Sequence, residues 1–442
     1  MRGAAISCRR LATFHRLSQP QLTLPVLWGK IQASSGDASP NLKMYESWDM
    51  AVSNKIRGML EQGSWIRRMF EEGIELKRQF GDENVFDLSL GNPVMQPPPE
   101  FFEELRRIAN DPAPGMHRYM PNAGYEETRA AVAEQLTGET GFDFSAAEIV
   151  MTCGAGGALN VVLKTLLDPG DEVIIFSPFF VEYHFYADNH GGSCRVVPPD
   201  ENFLPDMEAL KNAFNERTKA VLINSPNNPT GVLYSAALLD EMCAAIKEAE
   251  AEYGREIFLV SDEPYRRLLF DGLEYPHIFH HHERSIVATS HSKDLALPGE
   301  RIGYIAVHPD YDDKAELMDG LVFCNRTLGY VNAPALMQNI VRALQSATVD
   351  IAAYQRKRDF LYGSLTEMGY SLVKPQGAFY MFPASPTPDD VEFVATLQEH
   401  KVLVVPGRGF GLPGYFRISY CLDDHTLEGA LPGFEAAIEA YR

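Results

Sequence analysis

The chain has 442 residues, 45% of them hydrophobic, which is enough for a large core and for about two or three domains. A formal charge of −21 and a pI near 5.0 argue against nucleic acid or an anionic membrane as partner. Mean hydropathy is −0.18, no apolar run reaches the ~20 residues of a membrane span, and six scattered cysteines without a CxxC pair fit free thiols rather than disulfides or a metal site.

Residues 1–43 stand apart, with six Lys or Arg against one acid, so that the remaining chain carries about −26. Serines and interspersed apolar residues accompany the arginines, which fits a transit peptide with a mitochondrial address, or else a tail with no address. From about residue 44 the pattern is globular. Apolar residues at helical spacing predict helices over 45–80, 99–110, 124–140, 157–167, 235–253, 311–324, 334–346 and 349–368. Between them lie short β-rich runs: Ile149–Thr152, Glu172–Ser177, Lys219–Ser225, Glu256–Asp262, Arg284–Ser290 and Arg301–Val307. A turn-rich stretch from Pro375 to Pro388 precedes another helix and the strand-like Val402–Val405. Strands alternating with helices imply an α/β fold whose mostly parallel sheet is covered on both faces. We expect a large domain over 91–333 and a smaller α+β domain built from both ends, 44–90 and 334–442.

Ser290-His-Ser-Lys293, at a strand end, begins a string that runs through Gly299 to Arg301. A lysine held in a cleft between small hydroxyls can lose its proton and attack an aldehyde, and a planar guanidinium eight residues on suits a phosphate. The strand ending in Asp262 continues Glu-Pro-Tyr265. A carboxylate there can keep a pyridine nitrogen protonated, making the ring an electron sink, and Tyr265 can meet a ring hydroxyl. The competing reading of Asp262 is a helix cap. Asn224-Ser-Pro-Asn-Asn228-Pro-Thr-Gly231 is a fixed turn from which Asn228 can reach the ring oxygen.

Thr152-Cys-Gly154-Ala155-Gly156-Gly lies between strand and helix, where backbone N–H groups can approach an anion. The third glycine of a dinucleotide fingerprint is absent. Phe179-Phe180 can supply a ring that stacks on a flat cofactor, the alternative being core packing. Arg417 sits alone in the apolar run Tyr415–Tyr420 and needs an anion, either a substrate carboxylate or an internal ion pair. His280–His282 lacks partners at metal-ligand spacing, and neither a P-loop nor a GxSxG elbow occurs.

In this order, from about Phe86 to Tyr420, these strings resemble the fold-type I pyridoxal-phosphate enzymes, specifically the class I/II aminotransferases of the aspartate aminotransferase superfamily. The resemblance implies a pyridoxal 5'-phosphate cofactor attached at Lys293, which also carries the proton. It implies Asp262 on the ring nitrogen, Tyr265 and Asn228 on the ring hydroxyl, and Phe180 against the ring. Gly154, Ala155, Gly156, Ser290, Ser292 and Arg301 would hold the phosphate. Tyr119 would serve the phosphate of a neighbouring subunit in a homodimer. Arg417, with Gly91 nearby, would hold the α-carboxylate of an amino acid or 2-oxo acid in a ping-pong cycle. Where some relatives place a distal-carboxylate lysine, this chain has Gly156. Arg326 precedes Asn332-Ala-Pro334 and is the candidate for reading a dicarboxylate, or else a structural ion-pair partner. A lyase on the same fold and a non-catalytic relative are the alternatives.

Overall fold

The computed structural model describes residues 52–62 and 65–442. The chain divides into Met1–Gly58 and Met59–Arg442, and the description below concerns the second unit. The expected mitochondrial address falls on residues 1–43, outside the described residues.

The centre is a seven-stranded sheet. Its strands are β1 (Ile149–Thr152), β2 (Glu172–Phe176), β3 (Ser193–Val197), β4 (Thr218–Asn224), β5 (Phe258–Asp262), β6 (Ser285–Ser290) and β7 (Gly303–Val307). They lie in the order β1-β7-β6-β5-β4-β2-β3. All neighbours are parallel except β7, which runs antiparallel to both β1 and β6. In Val173-Ile-Ile-Phe176 of β2, Ile174 and Phe176 enter the core on one face, and Val173 and Ile175 enter the core on the other. The two-residue period of a strand thus explains why an uninterrupted apolar run was needed here: both faces are covered.

Helices begin and end where local chemistry directs. Pro99 opens Pro99–Asn110, Ser235 accepts from the Leu238 amide at the start of Ala236–Tyr253, and Gly141 and Gly254, both left-handed, close two helices. The helix expected from 157 starts at Gly154. Its first turn is glycine and alanine, which carry no apolar period to read. Helices Glu182–Asn189, Met207–Ala213 and Asp424–Glu439 and strand β3 were not foreseen. The third of these helices contains Pro432, and β3 is a half-exposed edge strand with polar and charged residues.

The two ends of the unit meet. Phe86–Asp87 pairs in parallel with Val402–Leu403, and Tyr380–Met381, Phe416–Ser419 and Val405–Pro406 form a three-stranded antiparallel sheet. Leu88, Phe379, Phe393, Phe416 and Phe434 share one core there. Helix Ala335–Arg342, placed by the sequence reading in the C-terminal part, instead packs Met337, Ile340 and Val341 into the core of the central sheet. No helix among the described residues is long and apolar enough to cross a membrane.

Candidate active site

The carboxyl ends of parallel strands gather ligands in open α/β sheets, because the chain leaves the sheet there in loops that face one crevice. Strands β1, β4, β5 and β6 end at Thr152, Asn224, Asp262 and Ser290, and the residues after them line one cavity of about 330 Å³. The reversed β7 enters at this same end, since Gly303 pairs with Ser290 and with Thr152. That reversal delivers Arg301 to the crevice.

One corner is built for an anion. Helix Gly154–Leu166 points its amino terminus at the cavity, with Ala155 and Gly156 on the lining. Free N–H groups and the helix dipole favour negative charge there. Gly154 has φ +73°, where a side chain is strained, and a Cβ on it would stand 2.8 Å from the Arg301 guanidinium, so glycine suits this approach. Arg301 donates to the Pro298 carbonyl at 3.0 Å and forms no ion pair among the described residues. Ser290 and Ser292 also line the cavity, and their hydroxyls are 3.0 Å apart.

In the middle stand Lys293 and Asp262. Lys293 Nζ donates to the Gly91 carbonyl at 2.7 Å. Its amine is lowered to about 8, chiefly by burial, with the charges of Arg417 and Arg301 acting in the same direction. A share of free amine near neutrality is what a nucleophile and proton carrier requires. The Asp262 carboxyl is raised to about 7 by burial, although Tyr183 Oη donates to its Oδ2 at 2.6 Å. Among the described residues its Oδ1 is buried without a partner while the residue lines the cavity. A helix cap would have its carboxylate on backbone amides; none contacts Asp262 among the described residues, so the cap reading fails.

At the third corner Arg417 is 3% exposed. Its Nη1 donates to Asn228 Oδ1 at 3.0 Å and Nη2 to the Ser89 carbonyl at 2.5 Å, and the guanidinium lies 4.7 Å from the Tyr380 and Phe410 ring centres. No ion pair neutralises it among the described residues, and Nε has no partner. Burial lowers its pKa. The internal ion pair is therefore excluded within the described chain, and a carboxylate ligand is the natural counter-ion. Asn224 fixes this corner, accepting from the Asn228 amide at 2.7 Å and donating to the Asp262 carbonyl at 2.8 Å. Gly91 lies so close to Tyr380 that a Cβ would sit 1.8 Å from its hydroxyl.

The sequence-selected residues Gly91, Ala155, Gly156, Phe180, Asn228, Asp262, Tyr265, Ser290, Ser292, Lys293, Arg301 and Arg417 thus share one cavity, with Gly154 against Arg301. Two do not. Tyr119 is 92% exposed and Arg326 is exposed at the end of helix Lys314–Thr327, its guanidinium over the Phe323 ring; neither lines this cavity. Three contributors were missed: Tyr183, Asn224 and Tyr380, whose hydroxyl lies 3.1 Å from that of Tyr265. Tyr183, three residues after Phe180, carried a signal only in its spacing. No group of side chains among the described residues is arranged to hold a metal ion.

The family model for aminotransferase class I and II matches residues 83–433. A probable aspartate/prephenate aminotransferase of Thermus aquaticus is 34% identical over 83% of this chain and 94% of its own length. The aspartate/prephenate aminotransferase of Thermus thermophilus is 35% identical over 82% of this chain and 93% of its own. Among solved structures, an amino transferase of Eubacterium rectale superposes with a TM-score of 0.86 at 39% identity, covering 89% of this chain and all of the other. Thermus thermophilus aspartate aminotransferase with maleate gives 0.78 at 30% identity over 88% of this chain. With catalytic-end geometry, family match and fold in agreement, the chain belongs to the class I and II aminotransferases, enzymes that move an amino group between an amino acid and a 2-oxo acid.

Proposed function

We propose that the enzyme uses pyridoxal 5'-phosphate, with Lys293, Asp262 and Tyr265 as catalytic residues and an aspartate- or glutamate-type donor. The observation that carries this reading is the buried, unpartnered Asp262 Oδ1 facing the same cavity as Lys293 and Arg417. A lone buried carboxylate oxygen is costly, and a protonated ring nitrogen satisfies it. When bound, the cofactor supplies an electron sink for the charge left on the substrate Cα.

The residues then divide the work. The helix start at Gly154–Gly156, with Ser290, Ser292 and Arg301, would hold the phosphate. Phe180 would pack against the ring, and Asn228 and Tyr265 would meet its hydroxyl. Arg417 would take the α-carboxylate as a planar fork, a hold that favours removal of the Cα proton over loss of the carboxylate. Lys293, in the same cavity, would be the group that carries the proton taken from Cα.

The donor assignment is supported by the relatives, whose names specify aspartate and prephenate. The cavity-lining cations among the described residues are Lys293, Arg301 and Arg417, all already engaged in these roles. A distal carboxylate therefore requires a cation from elsewhere, and the exposed Arg326 is that candidate if it enters the site of a second subunit. Tyr119 is exposed in the same region: Asn332, six residues beyond Arg326, donates to the Pro121 carbonyl at 2.9 Å, and Asn325 to that of Asn122. A homodimer with shared sites explains both exposures. The same proposal keeps the division into a large cofactor-binding part, 91–333 extended to about 344, and a smaller part from both ends. A panel of amino donors and 2-oxo acids, followed through cofactor absorbance, tests it. Half-reactions with aspartate and glutamate well above neutral donors support the reading; no spectral change with any amino acid contradicts it.

A further inference from the structure

Lys293 and Asp262 stand on two separate turns, and nothing in the cofactor chemistry itself holds those turns in register. The Asp262 turn continues through Tyr265 into Arg266-Arg267, and Lys293 is followed directly by Asp294. Arg267 Nη1 lies 3.8 Å from Asp294 Oδ2 and donates to the carbonyls of Gln345 and Ala347 at 2.8 and 3.1 Å. The Asp294 carbonyl accepts in turn from the Val349 amide at 2.8 Å. The same Asp294 Oδ2 also accepts from His291 Nδ1 at 3.2 Å. Two active-site turns and the 345–349 loop are therefore joined behind the cavity through one cation and one carboxylate.

Burial acts to raise the Asp294 carboxyl, and His291, Arg267 and Arg266 together hold it below the usual carboxylate range. Asp294 is buried, and among the described residues neither its Oδ1 nor His291 Nε2 has a partner. The partners of Asp294 thus outweigh desolvation, so a loss of stability alone does not distinguish what the pair is for. What sets the pair apart is its placement: the carboxylate adjoining Lys293 meets Arg267, on the turn that continues from Asp262.

We propose that Arg267 and Asp294 are positioning residues for transamination, a clasp that holds the Lys293 turn against the turn presenting Asp262 and Tyr265. The inference rests on the reading of Lys293 and Asp262 given above. Loosening the clasp lets the amine wander from its line to the substrate Cα, which costs rate and leaves carboxylate binding at Arg417 intact.

The test uses Asp294→Asn, Arg267→Met and the conservative Arg267→Lys. In the two non-conservative variants kcat should fall about tenfold while donor KM moves less than about twofold; Arg267→Lys should stay within about threefold of wild type. In the cofactor-free protein, amides of 290–297 and 263–268 should exchange hydrogen at least about threefold faster, with β4 at the wild-type rate. A kcat within about twofold of wild type in both non-conservative variants overturns the proposal. So does faster exchange spread evenly over the chain, which marks a merely structural pair. If Asp294→Asn does not fold, the two Arg267 variants decide by the same criteria. Borohydride labelling of the wild type separates the two claims: a label away from Lys293 defeats the site reading, whereas a label on Lys293 with unaltered variant kcat defeats only the clasp.

Discussion

Replacing Asp262 by asparagine should make the cofactor-free protein more stable and the loaded enzyme slower. Burial raises the Asp262 carboxyl to about 7, against 3.8 for the ordinary group. Below about pH 4 the folded and unfolded chains both hold the proton, and the group has no effect on stability. Between the two values the unfolded chain has lost the proton and the folded chain keeps it, so wild-type stability falls as pH rises. Above about pH 7 the loss levels off near 4 kcal/mol, roughly three units at 1.36 kcal/mol each. Asparagine does not titrate, so the gap between variant and wild type should widen by about 2.5 kcal/mol from about pH 5 to about pH 8. Glu263, also raised to about 7 by burial, titrates in both proteins and cancels in the difference. Urea melts of both cofactor-free proteins at several pH values read this gap directly. With cofactor bound, the same substitution removes the partner of the ring nitrogen, and turnover should drop at least ~10²-fold, about 2.7 kcal/mol. A pH-independent stability gap, or a turnover loss under about threefold, would refute the assignment.

Arg417→Ala should cut kcat/KM by about 2–4 kcal/mol for every donor, because the α-carboxylate is common to all; a loss confined to dicarboxylic donors contradicts its role. Arg326→Ala should produce that selective pattern, a similar loss for aspartate and glutamate with alanine and aromatic donors little changed, and equal losses would return Arg326 to a structural part. Tyr119→Ala and Lys293→Ala should each be inactive or nearly so alone, yet mixing them after subunit exchange should restore about a quarter of wild-type activity, since half of the mixed dimers' sites are whole. No recovery on mixing, or an active monomer in light scattering, contradicts the shared site.

Much of this site was legible in the sequence because its residues sit where strands end. Asp262, Ser290, Lys293 and Asn228 each follow an apolar run whose length announces a buried strand, so their place at the sheet's carboxyl edge followed from the pattern. Arg417 was legible as a cation in an apolar run, and its freedom from an internal ion pair could come only from coordinates. Tyr183, Tyr380 and Asn224 were not legible, because an aromatic in a core-like stretch or an asparagine opening a turn looks the same whether it packs or positions a carboxylate. Which core the helix after Pro334 joins was not legible for a related reason: the proline marks a turn, and only the tertiary packing of Met337 and Ile340 shows it. Tyr119 and Arg326 lie beyond what a single chain can show, since their expected partners belong to a second copy.

The central claim is that one lysine carries the chemistry, and reduction tests it most directly. Wild-type enzyme loaded with pyridoxal phosphate is treated with borohydride, digested, and mapped by mass spectrometry. The account predicts a single stoichiometric label on Lys293, whose amine is the one that burial lowers to about 8 in the cavity. It further predicts no stable label, and no turnover, in a folded Lys293→Ala variant. A label on any other lysine, or turnover retained without Lys293, would contradict it.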